Sequence, residues 1–422
     1  MPIFNANPTL ARMSRIKRIY FFILFLFAAR ATVLTTNLDP RSNIVGFLLF
    51  CIPTIYMIYK YRLSFKNRNL LILYSILSLW LLIHFLLGKE FRYFDTFLLF
   101  FKILAAYSLV NLFKSRLFLL YEDTVTKLSI LCVCLWVITI IIGPLNIAKF
   151  GLFEPATRIS SASFLIYNVA NVFDTETQLY GGITRNCGFC WEPGLFASFI
   201  IIALVINLFI YKRIKNNKNF FYLSIALFTS FSTTGYIAYI VIIISYLYAK
   251  SQNKIYFLLK FFILVPILYL LYSLPFISEK IEENSQKQSF LTEDTRRMDY
   301  VDNSETVITP QRFECIYLDY LNFIHSPIIG YGLNTTYVSE NISENLSLTN
   351  GILKDFAKYG IIIAVLLQLL LIKNSRYFSL SCNVNQPFLL YVVLAILSFS
   401  YYFMELPLIV SIFLYRYFLN EK

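Results

Sequence analysis

The strongest constraint on this chain is a succession of apolar runs, many near the ~17 to 25 residues that cross a bilayer as helix. They fall near residues 19–36, 43–59, 70–87, 96–113, 128–145, 193–211, 220–231, 236–249, 255–274, 351–372, 388–404 and 406–419. Only 14% of the 422 residues are charged and 58% are hydrophobic. A soluble protein could not cover itself with so little polar surface. Hydrocarbon offers no partner to backbone N–H and C=O groups, so each run must satisfy its own as helix. The reading is an all-α, polytopic integral membrane protein with about twelve spans.

Net charge is +13, but its distribution excludes nucleic acid as the partner. Basic residues cluster between apolar runs: Arg12 to Arg18, Lys60/Arg62/Lys66/Arg68, Lys114/Arg116/Lys127, Lys212/Arg213/Lys215/Lys218, Lys250/Lys254 and Lys373/Arg376. Alternate loops carry them, which is the positive-inside pattern and places both termini in the cytoplasm. The partners this implies are membrane lipids. Lys354 and Lys358 open a span on the opposite face and run against the rule. Five units follow: helices over 1–145, an external loop over 146–192, central helices over 193–274 with a break at 231–235, a second external loop over 275–350, and helices over 351–422. Basic residues, an apolar core and Ala28-Ala-Arg-Ala31 imitate a secretory signal. The apolar character continues through Val33 and Leu34, so the segment reads as a first anchor.

Seven cysteines and two histidines form no zinc pattern, which needs about four converging ligands. Cys51, Cys132, Cys134 and Cys382 lie in or beside spans and read as small apolar residues. Cys187 and Cys190 form a C-x-x-C without the βαβ context of a redox pair, leaving a structural disulfide or free thiols. Neither metal nor cofactor is expected.

Chemistry concentrates in the external loops. Arg185-Asn-Cys-Gly-Phe-Cys-Trp-Glu-Pro-Gly194 stands at the mouth of an apolar run, with Pro193 at the first helical position. An arginine beside a helix amino end suits phosphate, and an Arg185–Glu192 ion pair fixing the loop is the alternative. Arg312 heads an amphipathic helix that ends in Ser326-Pro-Ile-Ile-Gly-Tyr-Gly332. It either points into the same cavity or contacts headgroups. Glycine is scarce, 13 in all, and Gly188, Gly330, Gly332 and Gly360 sit at loop edges where backbone can approach a ligand closely. Lys102 inside the fourth run, His84 and Glu405 are intramembrane polar groups, which mark cavities by default, although Lys102 could instead snorkel. Three N-x-S/T sequons open at Asn334, Asn341 and Asn345 but carry little weight in so asparagine-rich a loop.

Taken together, the two loop segments resemble the bacterial O-antigen polymerase and O-antigen ligase superfamily. Arg185, Gly188, Glu192, Pro193 and Gly194 match its R-x-x-G-x-x-x-E-P-G pattern, and Arg312, Pro327, Gly330 and Gly332 match its second-loop elements. Thr349-Asn350, Gly360 and the Ser232-Thr-Thr-Gly235 break resemble elements that follow. The resemblance implies a GT-C-like membrane glycosyltransferase of the bacterial inner membrane with its site facing the periplasm. Its reaction would be inverting transfer of a glycan from undecaprenyl pyrophosphate onto a lipid-linked repeat unit, with a chain-length regulator as further partner. It implies catalytic roles for Arg185 and Arg312, a general base in Glu192 or His325, and substrate contacts from Gly188, Gly330, Gly332, Asn350 and Lys102. Ligases of the superfamily carry histidine where Thr349 stands, which favours the polymerase branch. A ligase, or a transporter or flippase of lipid-linked sugar, is the competing expectation.

Overall fold

Every apolar run that falls on described residues contains helix. The computed structural model describes residues 13–36, 38, 43–65, 67–88, 92–143, 146, 152–153, 162–164, 166–169, 179–180, 183–211, 217–251, 312–333, 336–338 and 351–420. The run at 255–274 and most of the second loop lie outside them. The helices are α1 (Arg15–Ala29), α2 (Val33–Thr36), α3 (Ile44–Lys60), α4 (Arg68–Leu86), α5 (Tyr93–Phe113), α6 (Arg116–Ile142) and α7 (Pro193–Tyr211). They continue as α8 (Lys218–Thr229), α9 (Thr233–Lys250), α10 (Arg312–His325), α11 (Ile352–Ser381), α12 (Leu389–Ser398), α13 (Pro407–Phe413) and α14 (Tyr415–Phe418).

Among the described residues six helices are long and apolar enough to cross a membrane: α4, α5, α6, α7, α9 and α11. The others are shorter. At ~1.5 Å per residue, the 12 residues of α8 and the 10 of α12 fall short of a ~30 Å hydrocarbon layer. They are fragments of broken elements, and α3, with 17 residues, is marginal.

The core forms around α7. Its residues from Leu195 to Phe209 are buried on every side, as an all-round apolar helix must be, and it contacts α6, α8, α9 and α12. Aromatic rings pack around its N-terminal end. Phe189 lies 5.1 Å from Phe25 and 5.2 Å from Phe196, and Phe25 lies 5.4 Å from Phe199.

The first long loop departs from the all-α expectation. It carries an antiparallel sheet of β1 (Leu152–Phe153), β2 (Ala162–Phe164) and β3 (Tyr167–Val169), with Ser163 opposite Asn168. A hairpin of β4 (Leu179–Tyr180) and β5 (Ile183–Thr184) follows. Asn168 anchors the sheet, its backbone N–H donating to Gly188 (2.8 Å) and its side chain to Ala31 (3.2 Å).

Basic residues from distant segments gather at one end of the bundle. Lys17 donates to the Leu112 carbonyl (3.2 Å) and sits over the Tyr61 ring (4.4 Å). Arg68, Lys373 and Arg416 line a common cavity. Asn111, donating to the Phe418 carbonyl at 2.9 Å, ties the two groups together.

Candidate functional site

The site is built on a broken helix. Within α11, Gly360 has φ +71° and ψ 171°, which interrupts the backbone ladder and frees polar groups that must find other partners. Segment 326–332 supplies them. Ile361 N–H donates to Pro327 (2.8 Å), Tyr331 N–H to Ala357 (3.0 Å) and Gly332 N–H to Lys358 (3.0 Å). The approach is so close that a Cβ on Gly360 would lie 2.1 Å from the Ile328 carbonyl oxygen, and one on Gly330 2.2 Å from that of Lys358. Both glycines also have positive φ, so two independent reasons demand glycine at each. From the other side α4 holds the loop, with Trp80 Nε1 donating to the Ile329 carbonyl at 2.8 Å and His84 Nε2 at 3.2 Å from it.

This docking opens a cavity of about 340 Å³ at the end of the bundle opposite the basic cluster. Lys102 of α5 and Lys354 and Lys358 of α11 line it, together with Asp95, Glu405 and Tyr331. Lys354 and Lys358 are one helical turn apart, so they share a face. Lys358 pairs with Glu405 (3.3 Å), and Lys354 lies over the Tyr402 ring (5.1 Å). Arg30 sits over Tyr401 at 5.5 Å. Burial works against the charge of Glu405, yet Lys358, Lys102, Lys354 and Arg30 outweigh it and hold the carboxyl below its ordinary value. Three lysines and a nearby arginine against two carboxylates leave the cavity net positive, suited to a phosphate-bearing ligand. No cluster of metal-ligating side chains occurs among the described residues.

Behind this cavity stands a buried carboxylate that sequence reading missed. Asp319 of α10 is fully buried, and neither of its oxygens has a hydrogen-bond partner among the described residues. Burial pushes its carboxyl up to about 7, Lys354 pulling down and Asp355 adding to the rise. Asp355 is satisfied differently, accepting from Tyr402 Oη (2.8 Å) and Gln368 Nε2 (3.3 Å).

The sequence-derived candidates divide. Lys102 and Gly332 line the cavity, and Gly330 shapes its wall. Arg185 is not among the lining residues: its Nε donates to the Ser230 carbonyl (3.4 Å) at the break between α8 and α9. Beside it Asn186 bonds Thr229 through backbone (3.0 Å) and side chain (2.8 Å). Among the described residues no ion pair joins Arg185 to Glu192, which opens α7. Gly188 has φ +60°, and a Cβ there would strike the Phe196 ring at 2.3 Å, so only glycine fits against that ring. His325 is exposed, hydrogen-bonded to the Leu321 carbonyl (2.8 Å) and stacked on Tyr337 (3.4 Å), away from the cavity. Arg312 begins α10, but its side chain lies outside the described residues, as does Asn350. Cys187 and Cys190 are both buried, and no disulfide joins them in this structure.

Lys354, Lys358 and Arg30 were not singled out as site residues. The available signal was the pair of lysines, four apart, opening an apolar span on the face where positive charge is disfavoured. The chain matches no family model, no curated protein and no solved structure.

Proposed function

We propose that this chain is a membrane glycosyltransferase that polymerises lipid-linked repeat units of a bacterial surface polysaccharide. The observation that carries the reading is the lysine-lined cavity set among membrane-length helices. A donor that is part lipid and part pyrophosphate needs cations at the edge of hydrocarbon, held in place before charge develops. Lys102, Lys354 and Lys358 would meet the pyrophosphate as it departs. The bond from the anomeric carbon to phosphate oxygen breaks while the acceptor hydroxyl attacks from the opposite face, inverting the centre. A carboxylate takes the hydroxyl proton, and Asp95 and Glu405 are the ones lining the cavity. Arg185 and Arg312, which the superfamily resemblance casts as pyrophosphate ligands, belong to the same test.

By the positive-inside rule the basic end faces the cytoplasm, so the cavity faces the periplasm of an inner-membrane protein. A cysteine at Ile328, exposed beside the cavity loop, should then react with an impermeant maleimide in intact cells, and one at Phe65 should not, in a background lacking the native cysteines.

Purified protein in liposomes, supplied with undecaprenyl-pyrophosphate-linked repeat units, should release lipid pyrophosphate and lengthen the glycan. Cells lacking the protein should carry single repeat units on the carrier. Full-length polymer accumulating on the carrier would favour a ligase. Translocation without a new glycosidic bond would favour a transporter.

A further inference from the structure

The proposed reaction leaves Asp319 without a role, although its position is a costly one for a carboxylate. On α10 the buried residues Cys315, Leu318, Asp319 and Asn322 recur at the spacing of a single helix face. Helix α10 packs on α11, with Phe323 edge-on to Phe356 at 6.1 Å. Lys354 and Asp355, in the first turn of α11, both act on the charge of Asp319. The carboxylate therefore stands inside the contact between the two helices.

Nothing there satisfies it. Neither oxygen has a hydrogen-bond partner, and no ion pair reaches it among the described residues. Asn322, one turn on, is occupied elsewhere: its Oδ1 accepts from Val338 N–H at 3.0 Å, and its Nδ2 is itself without a partner. Of the groups facing Asp319 from α11, Lys354 favours its charge and Asp355 opposes it. Lys358, a turn further, is paired with Glu405, and Tyr402 is bonded to Asp355. From the loop comes Tyr331, whose hydroxyl burial holds above its ordinary value and so neutral, with Lys358 opposing and Asp319 adding. On α10 itself Cys315 is a buried thiol, His325 is stacked on Tyr337 of the 336–338 segment, and the side chains of Arg312 and Glu314 lie outside the described residues. Burial outweighs the rest, so the docked interface suits the protonated acid.

The same helix runs directly into the wall of the lysine-lined cavity. His325 ends α10, and the segment that follows is docked on α11 through Ile361, Tyr331 and Gly332 N–H groups. Tyr331, Gly332 and Leu333 then line the cavity. Helix and wall are thus one continuous piece, seated on α11 at Asp319 and again at Gly360. An unpaired charge is expensive to keep in such an interface. Lifting α10 would give the carboxylate water, and the wall would move with it.

We propose that Asp319 is a proton-operated latch. Protonated, it lets α10 seat on α11 and closes the cavity wall; ionised, it releases α10 together with the 326–332 segment. The inference concerns the wall and not the ligand, so it stands apart from the proposed reaction. In the released form the carboxyl titrates near the ordinary value of about 3.9, and in the docked form it holds its proton to about 7. Between those values the docked form binds the extra proton. Opening should therefore increase about tenfold per pH unit across that window and level off above it.

Hydrogen exchange of the full-length protein in detergent, read by mass spectrometry, tests the latch. Exchange of every amide quickens with pH, so the readout is the rate in the unaltered protein divided by that in Asp319→Asn, which stays neutral throughout. In peptides covering 312–332 this ratio should rise about tenfold per unit between pH 5 and pH 7, then flatten. Peptides from α9 should keep a constant ratio. A constant ratio in 312–332 overturns the latch, and so does an equal rise in α9, which would mean general loosening. If Asp319→Asn does not fold, the unaltered protein decides alone. Protection of 312–332 relative to a free peptide of that sequence should fall between pH 5 and pH 7, and constant protection overturns the proposal.

Discussion

Two interruptions of helical order among the described residues, at Gly360 and at Ser230 to Ser232, are each met by a loop segment, but the two repairs do different work. At Gly360 the repairing segment is Pro327 to Gly332, and the hydrogen bonds of Ile361, Tyr331 and Gly332 across the break are made by backbone. At Ser230 to Ser232 the repair comes from Arg185 and Asn186, whose side chains reach across. Phe231 there has φ +47°. Around the backbone repair the side chains of Lys354, Lys358 and Tyr331 line a cavity, where Lys358 pairs with Glu405. The side-chain repair uses the charged group itself, and the space behind it fills with Phe189, Phe196 and Cys190. Thr234 and Ser400 are hydrogen-bonded, so the second break is tied to the segment that carries Glu405 into the first. The loop arginine is thus engaged by the local fold at the second break, whereas the lysines at the first line a cavity.

The largest effect should come from breaking the first repair. Gly360→Ala places a Cβ against the Ile328 carbonyl oxygen and strains a positive φ, costing of order 1 to 3 kcal/mol for strain alone. Polymer formation should be abolished and thermal stability in detergent should fall. Gly188→Ala also carries a strained φ, but its clash is with the rim of a phenylalanine ring, which can move, so part of the activity should survive.

Next, Lys358→Gln removes a cation from the cavity and leaves Glu405 without its closest partner. Turnover should drop about 10²- to 10³-fold, the usual cost of losing one preorganised contact to developing charge. Arg185→Lys sharpens the comparison. If Arg185 serves only to hold the second break, the variant should lose about 1 kcal/mol of stability and retain turnover within a few fold. A loss as large as that of Lys358→Gln would instead draw Arg185 into the donor site.

The pH dependence distinguishes the buried carboxylates. Asp319 holds its proton to about 7 in the folded protein, against about 3.9 in an unfolded chain. Between those values the folded state binds a proton that the unfolded state has lost, so this group makes stability fall as pH rises. Asp319→Asn should raise the melting temperature at pH 8 and leave it unchanged near pH 4. Glu405 acts in the opposite sense. Its depressed value contributes stability above about 4.3, lost as pH falls, and Glu405→Gln should blunt acid unfolding. The smallest effect belongs to His325→Ala, within about 0.5 kcal/mol for an exposed position and without consequence for turnover.

Sequence periodicity located the helices, and the break read at 231–235 falls where α8 ends and α9 begins. The run at 128–145 proved to be the outer part of α6, which starts at Arg116 because polar and charged residues on its first turns do not stop a helix. Strands of two or three residues, such as Tyr167–Val169, are too short for alternation to reveal. Gly360 was legible as one of the glycines at loop edges and helix breaks; only the distant loop shows why its φ is positive. Lys102 and Glu405 were legible as intramembrane charges. Their common neighbour Lys358 was read as an exception to topology, because charge counting does not see which way a side chain points. Asp319 left no trace, since an aspartate on an amphipathic helix looks solvated until a second helix covers it.

The candidate cavity draws its walls from Asp95 at one extreme and Val410 at the other, a span of sequence covering most of the chain. A ribosome releases these parts in order, so during synthesis Lys102 enters the membrane long before Lys358, and both precede Glu405. The loop at 326–332 likewise emerges before the broken helix onto which it fits. Biogenesis thus sets a sequence of events: the lysine-lined cavity comes into being only at the last insertion steps. A chain stopped short of residue 405 would carry its lysines without the cavity assembled around them.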